Sequence, residues 1–229
     1  MKVSIVIPCY NEETTIKKII DKINTQSNLD KEIIVVDDFS QDKTREILQR
    51  DLKDKIQKII LNDKNYGKGY SIKKGIEKTS GDCILIQDAD LEYDPSDYNK
   101  LLRPVINNEA DVVYGSRFIG TSERRVLYFW HTVGNKFLTL LSNMFSNLNL
   151  TDMEVGYKVF RSEVLKDIEL KENRFGFEPE VTAKIAKKNI RIYEVGISYF
   201  GRKYSEGKKI TWKDGFSAIR CIVKYNLFK

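Results

Sequence analysis

Two carboxylates one residue apart, Asp88 and Asp90, follow the apolar run at residues 83–86. They stand where a buried strand should end, and carboxylates clustered there repel one another unless a cation shares them. The residue types call for a hard divalent ion, Mg²⁺ or Mn²⁺, which takes oxygen ligands and bridges to substrate phosphates. Glu92, two residues on, can complete the shell. Taken alone, the pattern fits a pair of solvated turn residues equally well. Its company sets it apart: Asp37-Asp38 ends another apolar run, and Tyr10 and Glu12 follow a third. An aromatic ring beside acceptors for base N–H groups and ribose hydroxyls suits a nucleoside, while a metal serves its diphosphate.

The elements that must position these groups are legible from periodicity. Continuous apolar runs at residues 3–7, 33–36, 56–61, 83–86 and 111–114 read as strands buried on both faces. Helical patterns at 14–23, 42–52 (after a Ser40 cap), 70–78 and 95–106 separate them. This alternation predicts an α/β fold with a mostly parallel central sheet and helices on both faces. Ligands of such sheets bind beyond the carboxyl ends of the strands. Arg117, which follows the fifth run, falls on the same side as the acidic pair and is the best placed cation.

Bulk properties narrow the class. With 229 residues and 41% hydrophobic content the chain can fill one large core, and the absence of a linker-like stretch predicts a single domain over 1–229. Residues 1–117 form its nucleotide-binding half; the rest is the second half and tail. The net charge of +6 permits an anionic partner. That charge is dispersed among acids with no basic-aromatic motif, so no nucleic-acid role is expected. Three separated cysteines, Cys9, Cys83 and Cys221, give neither a disulfide framework nor a zinc pattern. His131, alone in an aromatic stretch, reads as structural. No segment approaches the roughly 18 apolar residues of a membrane span.

The ordered motifs resemble those of family 2 glycosyltransferases with a GT-A fold, and more closely the dolichyl or polyprenyl phosphate sugar synthases. They are Val6-Ile7-Pro8-Cys9-Tyr10-Asn11-Glu12, Ile34-Val35-Val36-Asp37-Asp38-Phe39-Ser40, Asn65-Tyr66-Gly67-Lys68-Gly69, Ser80-Gly81-Asp82, Asp88-Ala89-Asp90-Leu91-Glu92 and Gly115-Ser116-Arg117. Asp152-Met153-Glu154-Val155-Gly156-Tyr157-Lys158, the segment around Phe175-Gly176-Phe177-Glu178, and Tyr204-Ser205-Glu206-Gly207-Lys208-Lys209-Ile210 extend the likeness. The resemblance implies that Pro8, Tyr10, Glu12 and Asp38 hold the nucleoside and that Lys68, Asp88 and Arg202 serve the donor. It puts Asp88, Asp90 and Glu92 at the metal, although Gln is common among relatives at the last of these positions. The implied reaction is inverting transfer of a hexose from a donor of GDP-mannose or UDP-glucose type to a polyprenyl phosphate, which is anionic already and needs no general base.

Arg117, Arg124 and Arg125 are then the candidates for the acceptor phosphate, and Lys208 and Lys209 for a loop over the donor. Asp152 has two open roles: a base for a hydroxyl acceptor, in an alternative version of the reaction, or an organiser of the arginines. A non-catalytic nucleotide-sugar-binding module is the alternative of another class. Residues 126–150 fit either a helix packed on the sheet or an amphipathic helix at a bilayer. The resemblance favours the bilayer: peripheral attachment at the cytoplasmic membrane face, helped by Lys213, Arg220, Lys224 and Lys229 or by a membrane protein partner.

Overall fold

The computed structural model describes residues 1–120, 125, 126, 128–203, 206, 207, 209 and 212–228. Among these, seven strands form one sheet: β1 (Val3–Cys9), β2 (Lys31–Asp37), β3 (Lys58–Leu61), β4 (Cys83–Ile86), β5 (Val112–Ser116), β6 (Lys158–Arg161) and β7 (Ile192–Gly196). Their spatial order is β3-β2-β1-β4-β6-β5-β7. All neighbours run parallel except β6, which is antiparallel to both β4 and β5. The fold is thus the expected α/β architecture with a mostly parallel sheet. All seven residues of β1 are buried, so packing elements cover both of its faces. That is why its sequence is continuously apolar instead of alternating.

The helices are α1 (Ile16–Asn24), α2 (Thr44–Glu46), α3 (Lys68–Ile76), α4 (Tyr98–Ile106), α5 (Phe129–Ser146), α6 (Ser162–Lys166), α7 (Phe177–Ile185) and α8 (Trp212–Leu227). α1 buries Ile16, Ile19, Ile20 and Ile23, the stripe that a 3.6-residue period requires. The helix expected at 42–52 is shorter: after α2 the chain widens into a π-turn, Ile47–Asp51. Ser40 does not cap it. The Ser40 hydroxyl accepts from the Asn11 amide at 2.9 Å, tying the ends of β1 and β2, and Asp42 accepts from the Thr44 amide instead.

β6 and β7 were not legible as strands. In β6 the buried Lys158 interrupts the apolar pattern, its ammonium donating to the Met153 and Val155 carbonyls. α5 also departs from ordinary patterning. Three of its polar side chains face the protein: Thr139 is 4% and Ser142 1% exposed, the Thr139 hydroxyl accepts from the Met153 amide, and Asn143 brackets Leu150 with two hydrogen bonds. Leu138 and Leu141 pack against the core, but other apolar side chains face outward, with Trp130 76%, Phe137 53%, Leu140 59% and Met144 73% exposed. Among the described residues no helix is long and apolar enough to cross a membrane.

Candidate active site

The carboxyl ends of β1, β2, β4 and β5 open on one cavity of about 990 Å³. Pro8, Tyr10, Glu12, Asp38, Lys68, Asp88, Asp90, Glu92, Arg117, Arg125 and Arg202 all line it. Arg124 and Lys208 lie outside the described residues, as do the side chain of Lys213 and all of Lys229. Three non-glycine residues adopt a left-handed backbone at these strand ends: Asn11 (φ 49°) after β1, Phe39 (φ 66°) after β2 and Leu91 (φ 64°) after β4. Asparagine tolerates that region, whereas Phe and Leu rarely enter it. Strain of this kind persists where surrounding structure enforces it, typically at functional sites.

On the wall where a nucleoside is expected, Asp38 is 3% exposed and aimed by three donors. Its Oδ1 accepts from Asn62 Nδ2 (2.8 Å) and the Tyr66 amide (3.0 Å), and its Oδ2 from the Gly67 amide (2.7 Å). Gly67 has φ +104°, and a Cβ there would meet the Asn173 carbonyl oxygen at 2.5 Å. The reason is that the 173–174 backbone docks on the start of α3, accepting from the Gly69 and Tyr70 amides. The glycines of Asn65-Tyr66-Gly67-Lys68-Gly69 therefore admit a neighbouring loop.

The acidic residues do not converge as expected. Lys68 Nζ lies 2.9 Å from Asp88 Oδ1 and 3.0 Å from Glu178 Oε1. Burial opposes the charge on Lys68, but Asp88 and Glu178 outweigh it and hold the ammonium well above its usual pKa. Asp90 and Glu92 turn the other way, toward Arg202. Arg202 Nη2 donates to Asp90 Oδ2 at 2.7 Å, the Arg202 amide donates to Glu92 Oε1 at 2.8 Å, and Nη1 and Nη2 reach Glu12 at 3.2–3.3 Å. Lys209 Nζ adds 2.7 Å to Glu12 Oε1. Among the described residues no three acid, His or Cys side chains form a metal-holding group. In this structure Lys68 pairs with Asp88 while Arg202 pairs with Asp90 and Glu92, so cations of the chain itself engage the expected trio of Asp88, Asp90 and Glu92. Burial, then Glu92 and Asp88, push the Asp90 carboxyl up to about 7, against the opposing pull of Arg202. The neighbouring carboxylates of Asp88, Asp90 and Glu92 offer oxygen ligands alone, which fits a hard cation that takes one or two carboxylates and completes its shell with phosphate oxygens and water.

Arg117 sits at the opposite wall. Its Nε and Nη2 donate to the two oxygens of Asp152 at 2.7 and 2.6 Å, and its amide adds a third bond at 3.1 Å. Asp152 is fully buried, and the Arg117 side chain is 12% exposed. Burial disfavours the guanidinium charge, and Asp152 more than offsets this, raising the pKa well above its ordinary value. The guanidinium also lies 5.3 Å from the centroid of the Tyr199 ring, whose hydroxyl donates to Glu92 at 2.9 Å. One aromatic side chain thus joins the arginine wall to the acidic wall. Arg125 forks onto Glu206 at 2.8 and 3.2 Å.

No role is assigned from sequence to Tyr199, Glu178 or Glu154, although the last two stand in the quoted motifs. Glu178 pairs with Lys68 across 110 residues of chain, a pairing that its motif does not announce. Glu154 lines the cavity, and burial followed by Glu178 pushes its pKa up to about 8. Its Oε1 is buried without a hydrogen-bond partner among the described residues. Gly156 could have been read as a close approach: a Cβ there would lie 2.4 Å from Asp88 Oδ2. His131, read as structural, lines the cavity with its ring 5.2 Å from that of Tyr128. Arg220 and Lys224, expected at a membrane, pair with Glu172 at 2.6 and 3.1 Å and stay about half exposed.

Residues 4–169 match the family described as Glycosyl transferase family 2. The dolichol-phosphate mannosyltransferase of Pyrococcus furiosus is 30% identical over 232 residues, covering all of this chain and 64% of that protein. The chain therefore spans somewhat less than two thirds of that relative. The UDP-N-acetylglucosamine–dolichyl-phosphate N-acetylglucosaminyltransferase of Methanococcus voltae is 29% identical over 231 residues, covering 93% of this chain and 91% of the other. Among solved structures, glucosyl-3-phosphoglycerate synthase from Mycobacterium tuberculosis, in complex with Mn²⁺, UDP and phosphoglyceric acid, superposes with a TM-score of 0.78 at 19% identity. That match covers 100% of this chain and 79% of the other and establishes a shared fold.

Proposed function

The chain belongs to glycosyl transferase family 2, and from that premise we propose that it transfers one hexose from a nucleoside diphosphate sugar to a polyprenyl or dolichyl phosphate. The observation that carries the choice of acceptor is the Arg117–Asp152 fork. Both oxygens of Asp152 are engaged by Arg117, and the carboxylate is fully buried. It is poorly placed to take a proton from a hydroxyl, and well placed to hold a guanidinium rigid for an anion. A phosphate monoester arrives ionised and needs positioning only. This favours Asp152 as organiser over Asp152 as base, and a residue kept for chemistry over a non-catalytic module.

In this reading the nucleoside lies against Pro8, Tyr10, Glu12 and Asp38, and its diphosphate meets Lys68 and Arg202. Asp90, with Asp88 beside it, would hold Mg²⁺ or Mn²⁺. When bound, the cation supplies Lewis-acid relief of charge on the departing diphosphate. Arg117 and Arg125 hold the acceptor phosphate, whose oxygen attacks the anomeric carbon as the bond to the diphosphate breaks, inverting that centre. The names of the two archaeal relatives support the acceptor class, and the metal in the mycobacterial complex supports the cation. The base and sugar of the donor remain of GDP-mannose or UDP-glucose type.

The lipid's hydrocarbon needs a surface to arrive from. Trp130, Gly134 and Leu138 of α5 line the Arg117 cavity, while Phe137, Leu140 and Met144 of the same helix point outward. We assign that outward face to a membrane surface, with α5 lying in the interface and the acceptor phosphate passing inward along it. The test is a comparison of acceptors: with polyprenyl phosphate, Arg117→Ala should raise the acceptor KM at least about tenfold and leave donor affinity within about twofold. Equal loss of both, or transfer to a soluble sugar hydroxyl in preference to the lipid phosphate, would overturn this acceptor assignment.

A further inference from the structure

We infer that Arg202 is a resident counter-ion of the acidic site that opposes a divalent cation arriving alone and yields to a cation arriving with a diphosphate. The inference rests on the reading of this cavity as a metal–diphosphate site and adds how the binding of one ligand depends on the other. Three carboxylates, Glu12, Asp90 and Glu92, meet two cations, Arg202 and Lys209. Arg202 touches all three acids: Nη2 lies 2.7 Å from Asp90 Oδ2, Nη1 3.2 Å from Glu12 Oε2, and Nε 3.5 Å from Glu92 Oε1. Lys209 Nζ adds 2.7 Å to Glu12.

A divalent cation arriving alone must displace the Arg202 guanidinium from Asp90 and remain close to its positive charge. A diphosphate offers the guanidinium other oxygens and offsets the cation's charge, so each ligand lowers the cost of binding the other. Each must then raise the other's affinity by the same factor.

Arg202 is built to change partners. Its side chain is 17% exposed and faces the cavity, and its Nε is buried with no hydrogen bond among the described residues. Its backbone stays anchored, because the Arg202 amide donates to Glu92 and the Phe200 amide donates to the Glu92 carbonyl. The guanidinium can leave Asp90 for a phosphate oxygen without the chain leaving Glu92. A bidentate guanidinium suits that exchange, since carboxylate and phosphate present similar oxygen pairs.

The experiment measures Mn²⁺ binding by electron paramagnetic resonance, first with Mn²⁺ alone and then with UDP or GDP, in the wild type and in Arg202→Met and Arg202→Lys. Circular dichroism confirms the fold of each. In Arg202→Met, Mn²⁺ alone should bind about tenfold more tightly than in the wild type, about 1.4 kcal/mol, and nucleotide should tighten it further by a smaller factor. Arg202→Lys, which keeps the charge, should resemble the wild type and so serves if the Met variant does not fold. Mn²⁺ bound no more tightly by Arg202→Met, or as tightly by Arg202→Lys as by a folded Met variant, would overturn the counter-ion role while leaving the site reading intact. Failure of Mn²⁺ to bind any of the three proteins, with or without either nucleotide, would overturn both.

Discussion

Asp90 is the residue whose removal should cost most. Its carboxyl, pushed up to about 7 by burial and by Glu92 and Asp88, takes hydrogen bonds from Arg202 and the Glu92 amide and is the proposed holder of the cation. Asp90→Asn should lower the rate of transfer by at least about a hundredfold, since Lewis-acid relief in such sites is worth several kcal/mol. Thermal unfolding should move little. Unchanged transfer in the folded variant would remove the metal role. Asp152 should behave differently, because Asp152→Ala strands a buried guanidinium. A loss of about 3–5 kcal/mol in stability is expected by denaturant unfolding, together with weaker use of the acceptor. The acidic pair was legible because it ends an apolar run. Its cationic partners were not: Arg202 joins Asp90 across 112 residues of chain. The motif announces the acid, and only tertiary structure brings its counter-charge.

Elements carry the second set of consequences. Strands β1, β2, β4 and β5 could be read directly because burial on both faces makes their sequences continuously apolar. β6 could not, because its buried Lys158 is satisfied by carbonyls rather than by a polar face. The sheet's far side is closed by Asp111, which leads into β5 and takes Arg191 at 2.8 Å and Arg161 at 3.2 Å. Hydrogen bonding from Arg191 is the main reason its pKa is held down at about 2, against an ordinary value near 3.9. A depressed folded pKa gives stability that is full above about pH 4 and fades as pH falls toward 2. Asp111→Asn should therefore lower stability by about 1–2 kcal/mol at pH 7, a difference that urea unfolding should find shrinking toward zero near pH 2. α5 belongs to the same scale. The amphipathic pattern was readable over residues 126–150, but which face turned outward was not; the hydrogen bonds of Thr139 and Asn143 decide it. Phe137→Glu with Met144→Glu should abolish sedimentation with anionic vesicles while leaving the fold intact by circular dichroism. Undiminished vesicle binding would assign that face to something other than lipid.

At the scale of the whole molecule, the cavity joins three surfaces on which the proposed transfer to a lipid phosphate depends. A nucleoside wall is built on Asp38, an acidic wall on Asp90, and a cationic wall on Arg117 with an apolar helix running away from it. The central claim is that one sugar crosses from the acidic wall to an anion held at the cationic wall. It is tested most directly by incubating the purified protein with Mg²⁺ or Mn²⁺, a short polyprenyl phosphate in mild detergent, and labelled UDP- and GDP-hexoses in turn, then partitioning the products between organic solvent and water. Label is expected in the organic phase with at least one donor, and is lost on addition of chelator. Label that stays in water with every donor, or organic label that persists in excess chelator, would contradict it.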